Sequence, residues 1–192
     1  MEDKPLKVPT SLELPKPEDR KFENFFVEAP IRKLKSVDIK FGDLSEKNVE
    51  QFRILNYMNL PVVYSEDFYR RLTSYTRYSK LAYLQDVLVG AISCKEDTQE
   101  DGQKAVYIMT ITVLKPYRRF GIGSKLLEKA IEDCAKAKNV RKMTLHVQKG
   151  NESAMQFYNK AGFTIKEELK GYYTDLEPSD CFVLEKQIEG VV

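Results

Sequence analysis

Val106-Tyr-Ile-Met-Thr-Ile-Thr-Val-Leu-Lys-Pro-Tyr-Arg-Arg-Phe-Gly-Ile-Gly-Ser-Lys-Leu-Leu127 joins an apolar, β-branched run to an amphipathic segment through a turn punctuated by two glycines. Residues 106–114 predict a strand. Leu126, Leu127, Ala130, Ile131 and Cys134, three and four apart, predict a helix that opens at the glycines. Between the two, Arg118, Gly121 and Gly123 stand in the spacing R-x-x-G-x-G. Glycine lets backbone approach a ligand closely, the first helical amides have no partner within the helix, and the helix dipole favours negative charge there. A pyrophosphate fits such a cradle. The spacing is neither the dinucleotide fingerprint G-x-G-x-x-G nor a triphosphate loop with G-K-[ST]. An ordinary glycine-rich turn is the plain alternative, and the flanking strand and helix favour phosphate over it.

Regular patterns flank this unit on both sides. Upstream, residues 38–41 form a short strand, Ser45 is a plausible N-cap, and Val49, Phe52, Leu55 and Met58 line one face of the helix that follows. Pro61 interrupts it, and a second short helix covers residues 66–72. Residues 80–84 and 87–94 are two strands joined at Gln85-Asp86 as a hairpin, and 96–104 is a polar loop. Downstream come a strand at 142–148, a helix at 151–161, a strand at 163–170 and a last strand at 181–187. The order β-α-α-β-β-β-α-β-α-β-β predicts an α/β fold, a central mixed and mostly antiparallel sheet flanked by helices.

At 192 residues, with 42% hydrophobic and 31% charged residues, one domain with a substantial core is expected. The formal charge of +2 is too small to point to nucleic acid or an anionic membrane as a direct partner. No apolar run approaches the ~20 residues of a membrane span, and the N-terminus lacks the apolar core of a signal peptide. A cytoplasmic location is expected, with the nucleus as an addition. Cys94, Cys134 and Cys181 form no C-x-x-C pair and sit among apolar residues, which favours buried reduced thiols over a nucleophile. With one histidine and no metal-site spacing, no metal is expected.

Residues 1–35 stand apart as a flexible extension ahead of a catalytic domain at 36–192. Five of the eight prolines fall there (Pro5, Pro9, Pro15, Pro17 and Pro30), and regular structure cannot run through that spacing. A solvated tail is the simplest expectation. Phe22, Phe25 and Phe26 leave docking on the domain or on a partner open.

The glycine motif between strand and helix resembles the acetyl-coenzyme A signature of the GNAT acyltransferases. Three further runs, Leu60-Pro-Val-Val-Tyr64, Tyr107-Ile-Met-Thr and Leu145-His-Val-Gln followed by Asn151-Glu-Ser-Ala, are similar to the NatE-type catalytic subunits within that superfamily, which are protein N-terminal α-acetyltransferases. The likeness spans residues 39–186. It implies the GNAT fold, acetyl-CoA as cosubstrate and nascent or free protein N-termini as acceptors, with initiator Met before an apolar residue preferred. The scaffold subunit of the NatA complex and the ribosome are the partners it implies. Acetylation of lysine side chains or small amines, and a weakly active scaffold-associated subunit that binds acyl-CoA, are the alternatives.

Acetyl transfer to an N-terminus needs a held thioester, a deprotonated amine, a polarised carbonyl and a path for the leaving thiolate. An α-amino group with a pKa of about 7.7 to 8.0 is mostly protonated at neutral pH, so a base near it helps. His146, alternating with Thr144 and Gln148 on one strand face, is the side chain whose ordinary pKa of about 6.5 suits that role. The resemblance assigns proton removal through a water to Tyr107 and His146. A phenol is a weak base at neutral pH, so His146 is the expected general base and Tyr107 the residue that orders the water.

For the cofactor, the backbone around Ile111, Thr112 and Val113 is a candidate oxyanion site, and Arg118 and Arg119 are candidate phosphate partners. The resemblance adds Phe120, Gly121, Ile122, Gly123 and Ser124 from the loop. From the helix at 151–161 it adds Asn151, Ser153, Tyr158 and Lys160. Asn151 has a simpler role as N-cap, and the two are compatible. For the peptide, the resemblance implies a clamp from Tyr64, Met109, Tyr172 and Tyr173, in a wall completed by Leu60, Pro61, Val62, Thr174 and Asp175. Leu60, Val63, Ile111 and Thr112 depart from the usual NatE-type residues, and those departures bear on peptide preference and rate.

Overall fold

The computed structural model describes residues 38–190 apart from Tyr75, Lys138 and Asp175. The proposed extension at 1–35, with Phe22, Phe25 and Phe26, lies outside the described residues. Among those described, the chain runs β1 (Ile39–Asp43), α1 (Val49–Asn59), α2 (Glu66–Leu72), β2 (Lys80–Leu84), β3 (Val87–Thr98) and β4 (Lys104–Val113). A 3-10 turn at Lys115–Tyr117 leads to α3 (Ile122–Ala135), β5 (Val140–Gln148), α4 (Glu152–Lys160), β6 (Thr164–Leu169) and β7 (Cys181–Gln187). The element order is the one the sequence predicts. Seven strands form one sheet in the order β1-β2-β3-β4-β5-β7-β6, antiparallel throughout except between β4 and β5.

Two local expectations need correction. Asn48, not Ser45, occupies the N-cap of α1. Its Oδ1 accepts from Ser45 N at 2.8 Å while its Nδ2 donates to Asp43 O at 3.0 Å, so the asparagine closes a turn between β1 and the helix. The stretch expected as a polar loop at 96–104 is strand at both ends, and only 99–103 is a turn. β3 continues to Thr98, paired with Lys104, and Lys104 Nζ reaches Glu96 at 2.6 Å. Cross-strand pairing satisfies a segment whose polarity alone suggested a loop. Elsewhere local signals hold. Leu60, before Pro61, is extended and ends α1, and Ser65 caps α2 by accepting from Phe68 N at 3.3 Å.

The two sheet faces bury separate clusters. Leu126, Leu127, Ala130 and Cys134 of α3 are buried with Val89, Ile92, Val106 and Met143 on one face. Phe52 and Leu55 of α1 and Tyr69 and Leu72 of α2 are buried with Leu81 and Ala91 on the other. Burying a leucine or phenylalanine fully contributes roughly 1.5–3 kcal/mol, so both clusters hold helices to the sheet. Lys80 ties β2 to β1 and α3, with Asp43 at 2.6 Å and Asp133 at 2.7 Å. Close approach of β3, β4 and α3 requires Gly90. A Cβ there would lie 3.2 Å from Ile122 Cγ2, Thr112 O and Val113 Cγ2. All three cysteines are free and buried.

Two irregularities shape the centre of the sheet. Opposite β3, Ser93 pairs with Thr110 and Cys94 with Ile108, which leaves Met109 as the extra residue of a β-bulge. On the other side, β4 and β5 pair only from Lys104↔Val140 to Tyr107↔Thr144, although β4 runs on to Val113 and β5 to Gln148. Beyond Tyr107 the two strands diverge, and β4 offers an unpaired backbone edge to the cleft between them.

Candidate active site

Tyr107 is the last residue of β4 that pairs with β5, and its partner Thr144 shares a sheet face with His146. The Tyr107 hydroxyl lies 2.9 Å from His146 Nδ1, with the rings edge-on at 5.4 Å. Tyr172, in the connection between β6 and β7, stacks on the imidazole at 4.5 Å with 9° between the planes. Tyr173 stands edge-on to Tyr172 at 5.0 Å. Three hydrogen bonds fix that connection. Gly171 N donates to Asp180 Oδ1 at 3.0 Å, Tyr173 N to Ser179 O at 2.8 Å and Gln148 Nε2 to Pro178 O at 2.9 Å.

The opposing wall comes from the α1–α2 connection. Tyr64 stacks on Phe68 at 4.3 Å, and both pack with Met109 against the α1/α2 cluster. The bulge accompanies this placement of Met109. Tyr64 and Tyr172 are within electrostatic reach of each other, and Tyr107 is within reach of Tyr64, Tyr172 and Tyr173. Four tyrosines from three parts of the chain thus converge on one histidine. Leu60 and Val62 are half-buried beside them, Pro61 and Thr174 are exposed, and Asp175 lies outside the described residues.

Burial sets the protonation of the group. It pushes Tyr64 up to about 12 and raises Tyr107 and Tyr173 well above the ordinary value of 10, so all three are phenols at neutral pH. For His146 burial disfavours the imidazolium and lowers the pKa below 6.5, while the carboxylate of Glu167 pulls the other way. A neutral imidazole therefore faces neutral phenols. Because the folded pKa lies below the unfolded one, the unfolded chain binds more protons in that window. His146 accordingly withdraws stability as pH falls from about 6.5 through its folded value.

On the far side of the cleft lies the glycine turn. Arg119 and Gly121 both adopt left-handed backbone, φ 71° and 77°, and Gly121 caps α3. The first intrahelical bond runs from Lys125 N to Gly121 O at 3.0 Å, so the amides of Ile122, Gly123 and Ser124 have no partner within the helix. A Cβ on Gly121 would meet nothing within 4 Å, so backbone conformation asks for glycine here and the space above the turn is open. Arg118 Nε donates to Val113 O at 2.9 Å, bracing the turn against the end of β4. Arg119 and Ser124 are exposed and Phe120 is half-buried.

Along the cleft, Ile111 and Val113 are half-buried and Thr112 is buried. From α4, Tyr158 is buried between Phe157 and Phe163, and burial raises its hydroxyl so that it stays protonated. It lies within electrostatic reach of Cys94 and Tyr173, so it extends from α4 towards the cleft. Asn151 Oδ1 accepts from Ala154 N at 3.1 Å, the N-cap contact. Ser153 and Lys160 are exposed on α4. An anionic, extended ligand fits this arrangement, with unpaired helix amides at one end, a bare strand edge along its length and protonated hydroxyls near the other.

Three residues escaped sequence reading. Phe68, four positions after Tyr64, carries the ring behind the clamp, and that spacing was its only signal. Asn56 is fully buried four residues after Phe52 and its amide finds no hydrogen-bond partner by geometry, although Tyr69 is near enough to be perturbed by it. Glu167 reaches His146 only through sheet pairing.

Residues 46–163 match the acetyltransferase (GNAT) family. The chain is 43% identical over 152 residues to N-alpha-acetyltransferase 50 of Danio rerio, covering 79% of this chain and 90% of that protein. It is 39% identical over 150 residues to the probable N-acetyltransferase san of Drosophila melanogaster, covering 78% and 81%. Among solved structures it is similar to Naa50 of Arabidopsis thaliana in complex with the bisubstrate analogue CoA-Ac-MVNAL, with a TM-score of 0.73, 41% identity and coverage of 78% and 99%.

Proposed function

The chain belongs to the GNAT acetyltransferase family, and from that premise we propose that it is a protein N-terminal α-acetyltransferase, moving acetyl from acetyl-CoA to the first nitrogen of a peptide. The observation that carries the reading is the Tyr107–His146 contact of 2.9 Å at the point where β4 and β5 part. A proton acceptor stands where an extended thioester would end.

With the imidazole as its Nε2–H tautomer, the Tyr107 hydroxyl donates to His146 Nδ1, and the Tyr107 oxygen keeps lone pairs for the amine or for one water beside it. The short contact leaves no room for water between phenol and imidazole. As the amine proton arrives at Tyr107, the phenolic proton passes to Nδ1, so His146 is the terminal base and Tyr107 the conduit. Tyr158 is the protonated hydroxyl that supplies a hydrogen bond to the departing thiolate. The amides of Ile122, Gly123 and Ser124 hold the diphosphate with Arg119, and Asn151 and the β4 edge at Ile111, Thr112 and Val113 hold the pantetheine. Acetyl-CoA supplies the activated acyl group, and the chain's residues position it, take the amine proton and meet the thiolate.

Tyr64, Met109, Tyr172 and Tyr173 enclose an initiator methionine followed by an apolar residue. The peptide portion of the analogue bound by the Arabidopsis relative, which begins Met-Val, supports that preference. An acetylation panel of Met-Leu, Met-Lys, Ser and acidic N-terminal peptides, each also with a blocked N-terminus, tests it. Met-Leu is expected to lead and every blocked peptide to be inert. Acetylation of blocked peptides at lysine alone would replace this reading with a side-chain acetyltransferase. The likeness to NatE-type subunits also supports association with the NatA scaffold subunit and the ribosome in the cytoplasm, which co-purification tests.

The pH dependence follows from His146. Its base form is present above its lowered pKa and lost as pH falls through it, so kcat/KM holds at pH 7 and declines on an acidic limb centred below 6.5. A limb centred above pH 7 would contradict the assignment.

A further inference from the structure

On the sheet face that carries Tyr107, α1 packs on β3 and β4, and past the Tyr172 ring stacked on His146 the face continues over β7 and β6, with Val183 half-buried and Glu167 exposed. His146 pairs with Val183 and Val183 with Glu167, so the three side chains stand in a row on that face. The other carboxylates of these outer strands are engaged. Glu185 is 3.3 Å from Lys142, and Glu168, which points to the opposite face, is 2.7 Å from Lys149. Among the described residues Glu167 has no ion pair or hydrogen bond, and it is exposed. Its field nevertheless reaches the imidazole.

Resting on the peptide reading above, we infer that this row is the path by which the substrate leaves the site, and that Glu167 selects peptides carrying a lysine or arginine at the third or fourth position. Two strand spacings of about 4.8 Å put the carboxylate about 10 Å from His146. An extended peptide advances about 3.4 Å per residue, so its third or fourth residue stands opposite Glu167 when its amine is at Tyr107. Glu167 neither touches the reacting atoms nor transfers a proton. It is a specificity-determining residue acting by charge, and the unpaired state of the free protein is what a cationic side chain would complete.

Three Met-Leu peptides that differ only in Lys, Gln or Glu at positions three and four test this. At low ionic strength the wild-type enzyme is expected to favour Lys over Glu by about two- to fivefold in kcat/KM, the range of an exposed ion pair. The ratio shrinks as salt screens it. Glu167→Gln abolishes the ratio and Glu167→Lys inverts it, whereas Glu168→Gln preserves it. Thermal melting checks folding, and the Gln variant carries the test if the Lys variant fails. Equal rates for the three peptides in the wild type, or a Lys preference that survives Glu167→Gln, overturns the inference alone. If the wild type acetylates none of the three, the peptide reading falls and this inference with it.

Discussion

Replacing His146 by alanine is expected to lower kcat by about 10²–10⁴-fold, the usual worth of a positioned acid–base group, while affinity for acetyl-CoA is unchanged. His146 is the sole histidine, its imidazole is neutral, and Tyr107 is the hydroxyl at 2.9 Å from it. Burial holds Tyr64, Tyr107 and Tyr173 as phenols, so none of these three takes a proton near neutral pH. Tyr107→Phe breaks the same path one atom earlier and should cost a similar factor. Because one proton uses both groups, the double variant should be little worse than either single one, far from the product of the two losses. Single-turnover rates with calorimetry of cofactor binding check this. A fully active His146→Ala protein would remove the mechanism. Losses that multiply in the double variant would show instead that the two residues act on separate steps.

The second large effect is on stability. Leu126→Ala should cost about 2–5 kcal/mol, because Leu126 is fully buried in the cluster that joins α3 to the sheet. For a domain whose total stability is of order 5–15 kcal/mol, that is a substantial fraction. Urea denaturation should show a lower midpoint with an unchanged slope, the signature of lost stability without altered compactness. The same helix presents Ile122, Gly123 and Ser124 amides to the cleft, so saturating acetyl-CoA should recover part of the loss by mass action. A midpoint within experimental error of wild type would mean that the site collapses around the smaller side chain.

The sequence made the element order legible because spacing is local. Apolar residues at three and four on α3, alternation on β5 and the Pro61 break each report on their own neighbours. The glycine turn was legible for the same reason, since Gly121 sits at a left-handed N-cap. Pairing was less visible. The end of β3 was hidden by its charges, of which Glu96 is met across the strand by Lys104 and Asp97 by Lys95 on β3 itself. The bulge at Met109 is a register shift between distant segments, and no composition signals it. The site divides along the same line. Tyr64, Tyr107, His146, Tyr172 and Tyr173 stood out by type and motif, and the structure brings them together. Phe68 and Glu167 belong to the same region through packing and sheet order alone, and neither residue differs in type from ordinary surface or core neighbours.

The short pairing of β4 with β5 has a mechanical meaning. The sheet is two leaves, β1-β2-β3-β4 and β5-β7-β6, stitched by four residue pairs from Lys104↔Val140 to Tyr107↔Thr144. Past that seam the strands no longer pair and the leaves stay joined by the core beneath α3, so an acyl donor lying in the cleft adds a second tie between them and acts as a keystone as well as a reagent. Rigidity on the side where Tyr107 meets His146 then arrives with the donor, and the acceptor peptide meets a site already stiffened for it.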